Sequence, residues 1–179
     1  SDAAATQAMV EQTLARWGRV DILVNNAGIL RDRSFAKLEA DDFAKVIDVH
    51  LMGSFNCTKA VWETMRSQAY GRVVFTSSGS GLFGNFGQAN YAAAKAGMVG
   101  LMNVLHIEGE KYGIRVNALA PTATTAMTDG LFPAEQAALL GPETITPGLL
   151  YLVSDDAPSR VIMGAGGGCF TRIVIRETQ

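Results

Sequence analysis

The chain has 179 residues, 48% hydrophobic and 18% charged, with 15 Lys and Arg against 17 Asp and Glu for a net charge of −2. That length and apolar content suit one domain with a sizeable core and exclude a disordered chain. Balanced charge without a basic cluster argues against a nucleic-acid partner, no apolar run nears the roughly 20 residues of a membrane span, and no charged-then-apolar signal segment opens the chain.

Val10, Leu14 and Trp17 recur at helical spacing, and Gly18 follows as a stop. The apolar run Val20 to Val24 reads as a buried parallel strand with a tight exit at Asn25-Asn26-Ala27-Gly28. A charged connection, Arg31-Asp32-Arg33, leads to a helix with Phe43, Val46, Ile47, His50 and Leu51 on one face, continuing through Trp62 to about Met65. Gly71 precedes a strand, Val73 to Phe75, and a long loop of small residues runs from Ser77 to Gln88. A third helix is expected from about Asn90 to Tyr112, then a strand from Ile114 to Ala120 closed by Pro121. Beyond a polar loop at Thr122 to Thr128, Pro133 to Leu140 and Pro147 to Val153 look like short helices with Pro in the first turn. Val161 to Met163 reads as a last core strand before Gly164 to Gly168, and Ile173 to Ile175 as an edge strand or tail.

Strands alternating with helices predict an α/β fold with a parallel sheet and right-handed crossovers. Ligands bind such sheets beyond the carboxyl ends of the strands. Those ends carry Asn25 to Gly28, Ser77 to Gln88 and Pro121 to Thr128, so three loops should meet at one crevice.

Gly79-Ser80-Gly81-Leu82-Phe83-Gly84 matches the G-x-G-x-x-G dinucleotide pattern, but the next helix starts too late to bring its last glycine to a helix N-terminus. We read it as a tightly turning loop. Gly164 to Gly168 fails likewise, since no helix is expected after it.

Tyr91 and Lys95 lie four apart on one helix face. An ammonium beside a phenol favours the phenolate, so such a pair can pass a proton to or from a substrate oxygen. The Ser78 hydroxyl, at a strand end, can hydrogen-bond that oxygen. The bland alternative is a Tyr and a Lys decorating a helix surface. His106, among apolar helix neighbours, reads as structural, and Met98 to Met102 as a packing face. Two histidines and two distant cysteines, Cys57 and Cys169, without clustered carboxylates, suggest no metal site and no disulfide framework.

Taken in order, Asn25-Asn26-Ala27-Gly28, Ser78, Tyr91-Ala92-Ala93-Ala94-Lys95, Val116-Asn117 and Ala120-Pro121 resemble the short-chain dehydrogenase/reductase family over almost the whole chain. Within it, Gly28 to Phe35, Val49-His50-Leu51, Tyr70-Gly71-Arg72, Gly84 to Tyr91 and the tail from Gly164-Ala165-Gly166 look like the (3R)-hydroxyacyl-CoA dehydrogenase domain of peroxisomal multifunctional enzymes. The segment Gly87 to Gly97 is shared with bacterial 3-oxoacyl-acyl-carrier-protein reductases.

The resemblance implies a Rossmann-like doubly wound sheet and a hydride transfer between NAD and C3 of an acyl thioester, with NADP still open. It implies Tyr91 as general acid/base, with Lys95 lowering its pKa and holding the nicotinamide ribose, and Ser78 orienting the substrate oxygen. Asn25, Ala27 and Gly28 would line the cofactor pocket, and Pro121, Thr122 and Ala123 would meet the carboxamide. The family usually has Asn where His50 stands. His50 is either a packed core histidine or the replacement for that Asn in support of the lysine.

The family's first strand, glycine-rich turn and cofactor-selecting acidic residue have no counterpart here. Residues 1–179 are therefore expected to form a single domain, the C-terminal two-thirds of the fold, truncated at the N-terminus. Three functions stay open: a (3R)-hydroxyacyl-CoA dehydrogenase, an NADPH-dependent 3-oxoacyl-acyl-carrier-protein reductase, and a non-catalytic fragment or scaffold subunit. The resemblance also implies a homodimer or homotetramer, and the small-residue-rich third helix with the long helix before it offers an interface. Because Glu177-Thr178-Gln179 is not a Ser-Lys-Leu address, a cytoplasmic location is expected.

Overall fold

The computed structural model describes residues 1–128 and 130–178. In chain order these form α1 (Ala3–Trp17), β1 (Ile22–Asn25), α2 (Ala40–Ile47), α3 (Gly53–Gln68), β2 (Gly71–Thr76), α4 (Gly79–Phe83), α5 (Ala89–Gly109), β3 (Ile114–Thr122), α6 (Ala134–Ala137), α7 (Thr146–Val153), β4 (Ile162–Gly166) and β5 (Cys169–Ile173). The strands make one sheet in the order β1-β2-β3-β4-β5, parallel except for the antiparallel pair β4–β5. This is the expected parallel-dominated, Rossmann-like α/β sheet.

Strand periodicity divides the core. Val73, Phe75, Val116, Ala118 and Ile162 point to the face covered by α1, α3 and α5, where Met65, Met98 and Met102 fill the layer. Val74, Leu119, Met163 and Ala165 point the other way, onto Leu152 of α7 and Ile145 before it. The β2 strand is buried along its whole length, as a doubly covered parallel strand must be. Met98 and Met102 thus serve the intramolecular packing read from the sequence. Among the described residues no helix is long and apolar enough to cross a membrane.

Several expectations need correction. The Val20 to Val24 strand lies at Ile22–Asn25 and is not buried: it pairs only with β2 among the described strands, and Ile22 and Val24 are 47% and 37% exposed. The long second helix runs as α2 and α3 joined by a π-type turn at Asp48–Met52, which places His50 inward. The Ser77 to Gln88 loop contains α4, because the Ser78 hydroxyl accepts from Ser80 N (3.1 Å) and caps it. The third long helix ends at Gly109, followed by a tighter turn over Glu110–Tyr112. The last core strand runs on to Gly166, and Cys169–Ile173 returns beside it after a turn at Gly167-Gly168, so Val174 and Ile175 lie beyond the hairpin.

Candidate active site

The carboxyl ends of β1, β2 and β3 bring the three predicted loops together. Ser77 N donates to Leu119 O (2.7 Å), fixing the exit of β2 against β3. Ser78 follows, and α5 lays Tyr91 and Lys95 across the same end of the sheet. Close approach of α4 to α5 depends on Gly81: a Cβ there would stand 2.6 Å from Lys95 Cβ and 2.9 Å from Ala96 N. The second glycine of the G-x-G-x-x-G pattern therefore serves helix packing.

Lys95 is buried, and its ammonium donates to Thr76 O at 2.5 Å. Burial lowers its pKa from the usual 10.5 to about 8. Its Nζ stands 5.3 Å from the centre of the Tyr91 ring. The Tyr91 phenol is pushed up by burial first; the neighbouring Ser78 hydroxyl pulls it down and the Asp32 carboxylate adds to the rise. In this arrangement the ammonium is turned to a backbone carbonyl, and burial outweighs the hydroxyl in setting the direction for the phenol.

His50 is 1% exposed and meets the Tyr91 ring edge-on, centroids 5.1 Å apart. Its Nε2 lies 3.0 Å from Ile29 N and 2.8 Å from Ile29 O, while its Nδ1 is buried with no hydrogen-bond partner. Burial lowers its pKa, Ile29 opposes, and the charge of Lys95 lowers it further, so the ring is neutral at pH 7. Gly28 makes room for it, since a Cβ at that position would stand 2.3 Å from His50 Cε1. Both sequence readings of His50 meet here: it is a packed, hydrogen-bonded histidine, and it borders Tyr91.

Asn25 is buried at the end of β1 and its side-chain amide donates to Thr58 Oγ1 (3.1 Å). Ala27 is exposed and Gly28 half-buried. Pro121, Thr122 and Ala123 lie at the end of β3 and just beyond it, on the same side of the sheet. His106 bonds Ser159 Oγ at 2.9 Å, away from this site. Sequence reasoning missed Thr76, Asp32 and Gln88. Thr76 acts through its carbonyl, which carries no residue signature, and the Gln88–Asp32 bond spans 56 positions.

A nicotinamide nucleotide fits this donor set. The ammonium has three N–H donors and its one observed bond takes one, leaving two for a ribose diol. Ala27 and Gly28 after β1 and Ala123 after β3 add no bulky side chain at these strand ends.

Residues 1–136 match the family model described as short chain dehydrogenase. The chain is 49% identical over 166 residues to the peroxisomal hydratase-dehydrogenase-epimerase of Saccharomyces cerevisiae, covering 92% of this chain and 18% of that protein. It is 42% identical over 161 residues to an acetoacetyl-CoA reductase of Acinetobacter, covering 84% of this chain and 65% of that one. The crystal structure of a short chain dehydrogenase from Mycobacterium avium superposes with a TM-score of 0.87 at 35% identity, over 99% of this chain and 63% of that one. The chain thus spans about a fifth of the length of the yeast peroxisomal protein that it matches.

Proposed function

The chain belongs to the short chain dehydrogenases, and from that premise we propose that it interconverts (3R)-hydroxyacyl and 3-oxoacyl thioesters, CoA-linked, with a nicotinamide cofactor. The observation that carries this reading is the convergence of Ser78, Tyr91 and a buried, incompletely bonded Lys95 at the carboxyl end of β2. The name of the Acinetobacter reductase supports a 3-oxoacyl-CoA as substrate class. We read residues 1–179 as one domain carrying this site.

The roles follow from the groups. Tyr91 takes the C3 hydroxyl proton in oxidation and returns it in reduction. Ser78 hydrogen-bonds the same oxygen and keeps it against the phenol. Lys95, anchored on Thr76 O, turns its remaining donors to the ribose, where a buried ammonium orients strongly. His50 walls the Tyr91 ring, and its Nδ1 is the one ring nitrogen free to support Lys95 through a bridging water. Gly28 and Ala27 would flank the nicotinamide, and Pro121 with the backbone of Thr122 and Ala123 would meet its carboxamide. The bound nicotinamide supplies the two-electron exchange at C3.

The test is reduction of NAD or NADP by (3R)-hydroxyacyl-CoA, followed by absorbance, beside the 3S isomer and the acyl-carrier-protein thioester. Turnover of the 3R isomer, lost in Tyr91→Phe, is expected. Turnover only with NADPH and the carrier-protein thioester would instead favour the reductase reading. No turnover with any pair would leave the scaffold reading. For assembly we propose a homodimer through the outer faces of α3 and α5. There Phe55 and Val104 are 44% and 51% exposed beside a groove of about 400 Å³. Light scattering after gel filtration checks it: a monomer mass rejects the dimer.

A further inference from the structure

Residues 31–33 are fastened to the start of α5 by three hydrogen bonds that belong to no helix or sheet. Arg33 N donates to Gly87 O (2.9 Å), Gln88 Nε2 to Asp32 Oδ2 (2.8 Å), and Asn90 Nδ2 to Arg31 O (2.9 Å). Gln88 and Asn90 are buried, and the Gln88 oxygen accepts from Asn85 Nδ2 at 3.1 Å. Gln88 also begins α5, since its carbonyl accepts from Ala92 N (2.7 Å). The residue that grips Asp32 therefore starts the turn that carries Tyr91.

A neutral acceptor would also take the Gln88 hydrogen bond, though less strongly than a carboxylate does. The charge of Asp32 has a separate consequence. We propose that Asp32 is a positioning residue for Tyr91: clamped by Gln88, it fixes the first turn of α5 and sets a negative charge against the phenolate. This rests on the reading of Tyr91 as the proton-transfer group. Asp32 adds its charge to the burial that already favours the protonated phenol, the form that donates to a carbonyl oxygen.

The charged and titratable groups around the phenol are few. Lys95, on α5 itself, is turned to Thr76 O. His50, from the π-type turn, is neutral and edge-on. Ser78 comes from the end of β2. In the 31–33 segment, Arg31 lies 3.6 Å from Asp42, and the Arg33 guanidinium donates to the Asp32 carbonyl (2.9 Å), so neither arginine pairs with the Asp32 carboxylate. Of the carboxylates, Asp32 is the one whose charge raises the phenol.

The experiment is a ¹³C-tyrosine NMR titration of the whole chain, which has four tyrosines; Tyr91 is assigned by its loss in Tyr91→Phe. Asp32→Asn keeps an oxygen for Gln88 and removes the charge. Its Tyr91 midpoint should fall by about half a pH unit, as expected for one charge at partly screened range. Asp32→Glu should restore the midpoint, and the acid limb of the oxidation rate should move with it. An unchanged midpoint in Asp32→Asn, or a shift that Asp32→Glu leaves in place, overturns the proposal. The titration needs neither substrate nor cofactor. A protein that titrates as expected but turns over nothing therefore refutes the proposed function and leaves the electrostatic assignment intact.

Discussion

Strand β2 has a buried cation at each end, and the two are treated in opposite ways. At its start, Arg72 directs its guanidinium to four carbonyls: Ser154 O (2.9 Å), Gly71 O (2.8 Å), Gly113 O (3.1 Å) and Asp155 O (3.4 Å). It also stacks over the Tyr70 ring at 4.2 Å. At the other end, Lys95 has one side-chain bond among the described residues, to Thr76 O. Both side chains are almost fully buried, at 4% and 2% exposure, so burial does not distinguish them. What distinguishes them is how many donors are engaged. A cation with four of its five donors engaged, as in Arg72, ties segments together. One left with free donors in a low-dielectric site is held ready for a partner that arrives later.

The largest expected effect separates the two ends by activity. Lys95→Met should lower kcat about 1000-fold, the scale of an acid–base group and its support, without loss of stability below pH 8. Steady-state kinetics beside urea melts check both parts. Arg72→Leu should do the reverse. Leaving its carbonyls unpaired should cost about 4 kcal/mol in chemical denaturation, while the folded fraction keeps its specific activity. Equal loss of both properties in either variant would break the contrast.

The pH dependence of stability sharpens it. Lys95 binds its proton less tightly folded, at about 8, than unfolded, near 10.5. Between those values the unfolded chain holds more protons, so stability should rise with pH across that window, by up to about 3 kcal/mol. Below pH 8 the buried charge costs that amount. Lys95→Met should lack the rise, and a wild-type curve that is flat over the window would show that Lys95 is solvated.

The same contrast explains what the sequence could reveal. Tyr91 and Lys95 were legible because helical spacing puts them on one face, and Ser78 because it follows a run of apolar strand residues. The destination of each donor was not. Lys95 ends on a backbone oxygen, Arg72 on four more, and carbonyls have no letter in a sequence. The short helix α4 escaped because five residues are too few for a periodic pattern. The exposure of Ile22 and Val24 escaped because an apolar run looks the same on an edge strand as in the middle of a sheet. His50 was placed correctly on an inward face, but its contact with Gly28 joins two segments that local pattern does not connect.

That contact gives the smallest effect and a direct check of the site's packing. A Cβ on Gly28 would lie 2.3 Å from His50 Cε1 and 3.0 Å from Nδ1, far inside contact distance. The ring cannot simply retreat, because Nε2 is held by the backbone of Ile29, the next residue, and the ring meets Tyr91 in a T-shaped contact. Gly28→Ala should therefore cost about 2 kcal/mol and slow turnover by displacing the ring against the phenol. His50→Ala removes the obstacle. The double variant should then be more stable than the two single losses predict, with a coupling of about 1 kcal/mol in denaturation melts. Additive losses would mean that the methyl group strikes something other than His50. The glycine would then answer to the backbone of its turn, and the tie between the β1 exit and the Tyr91 ring would not run through the histidine.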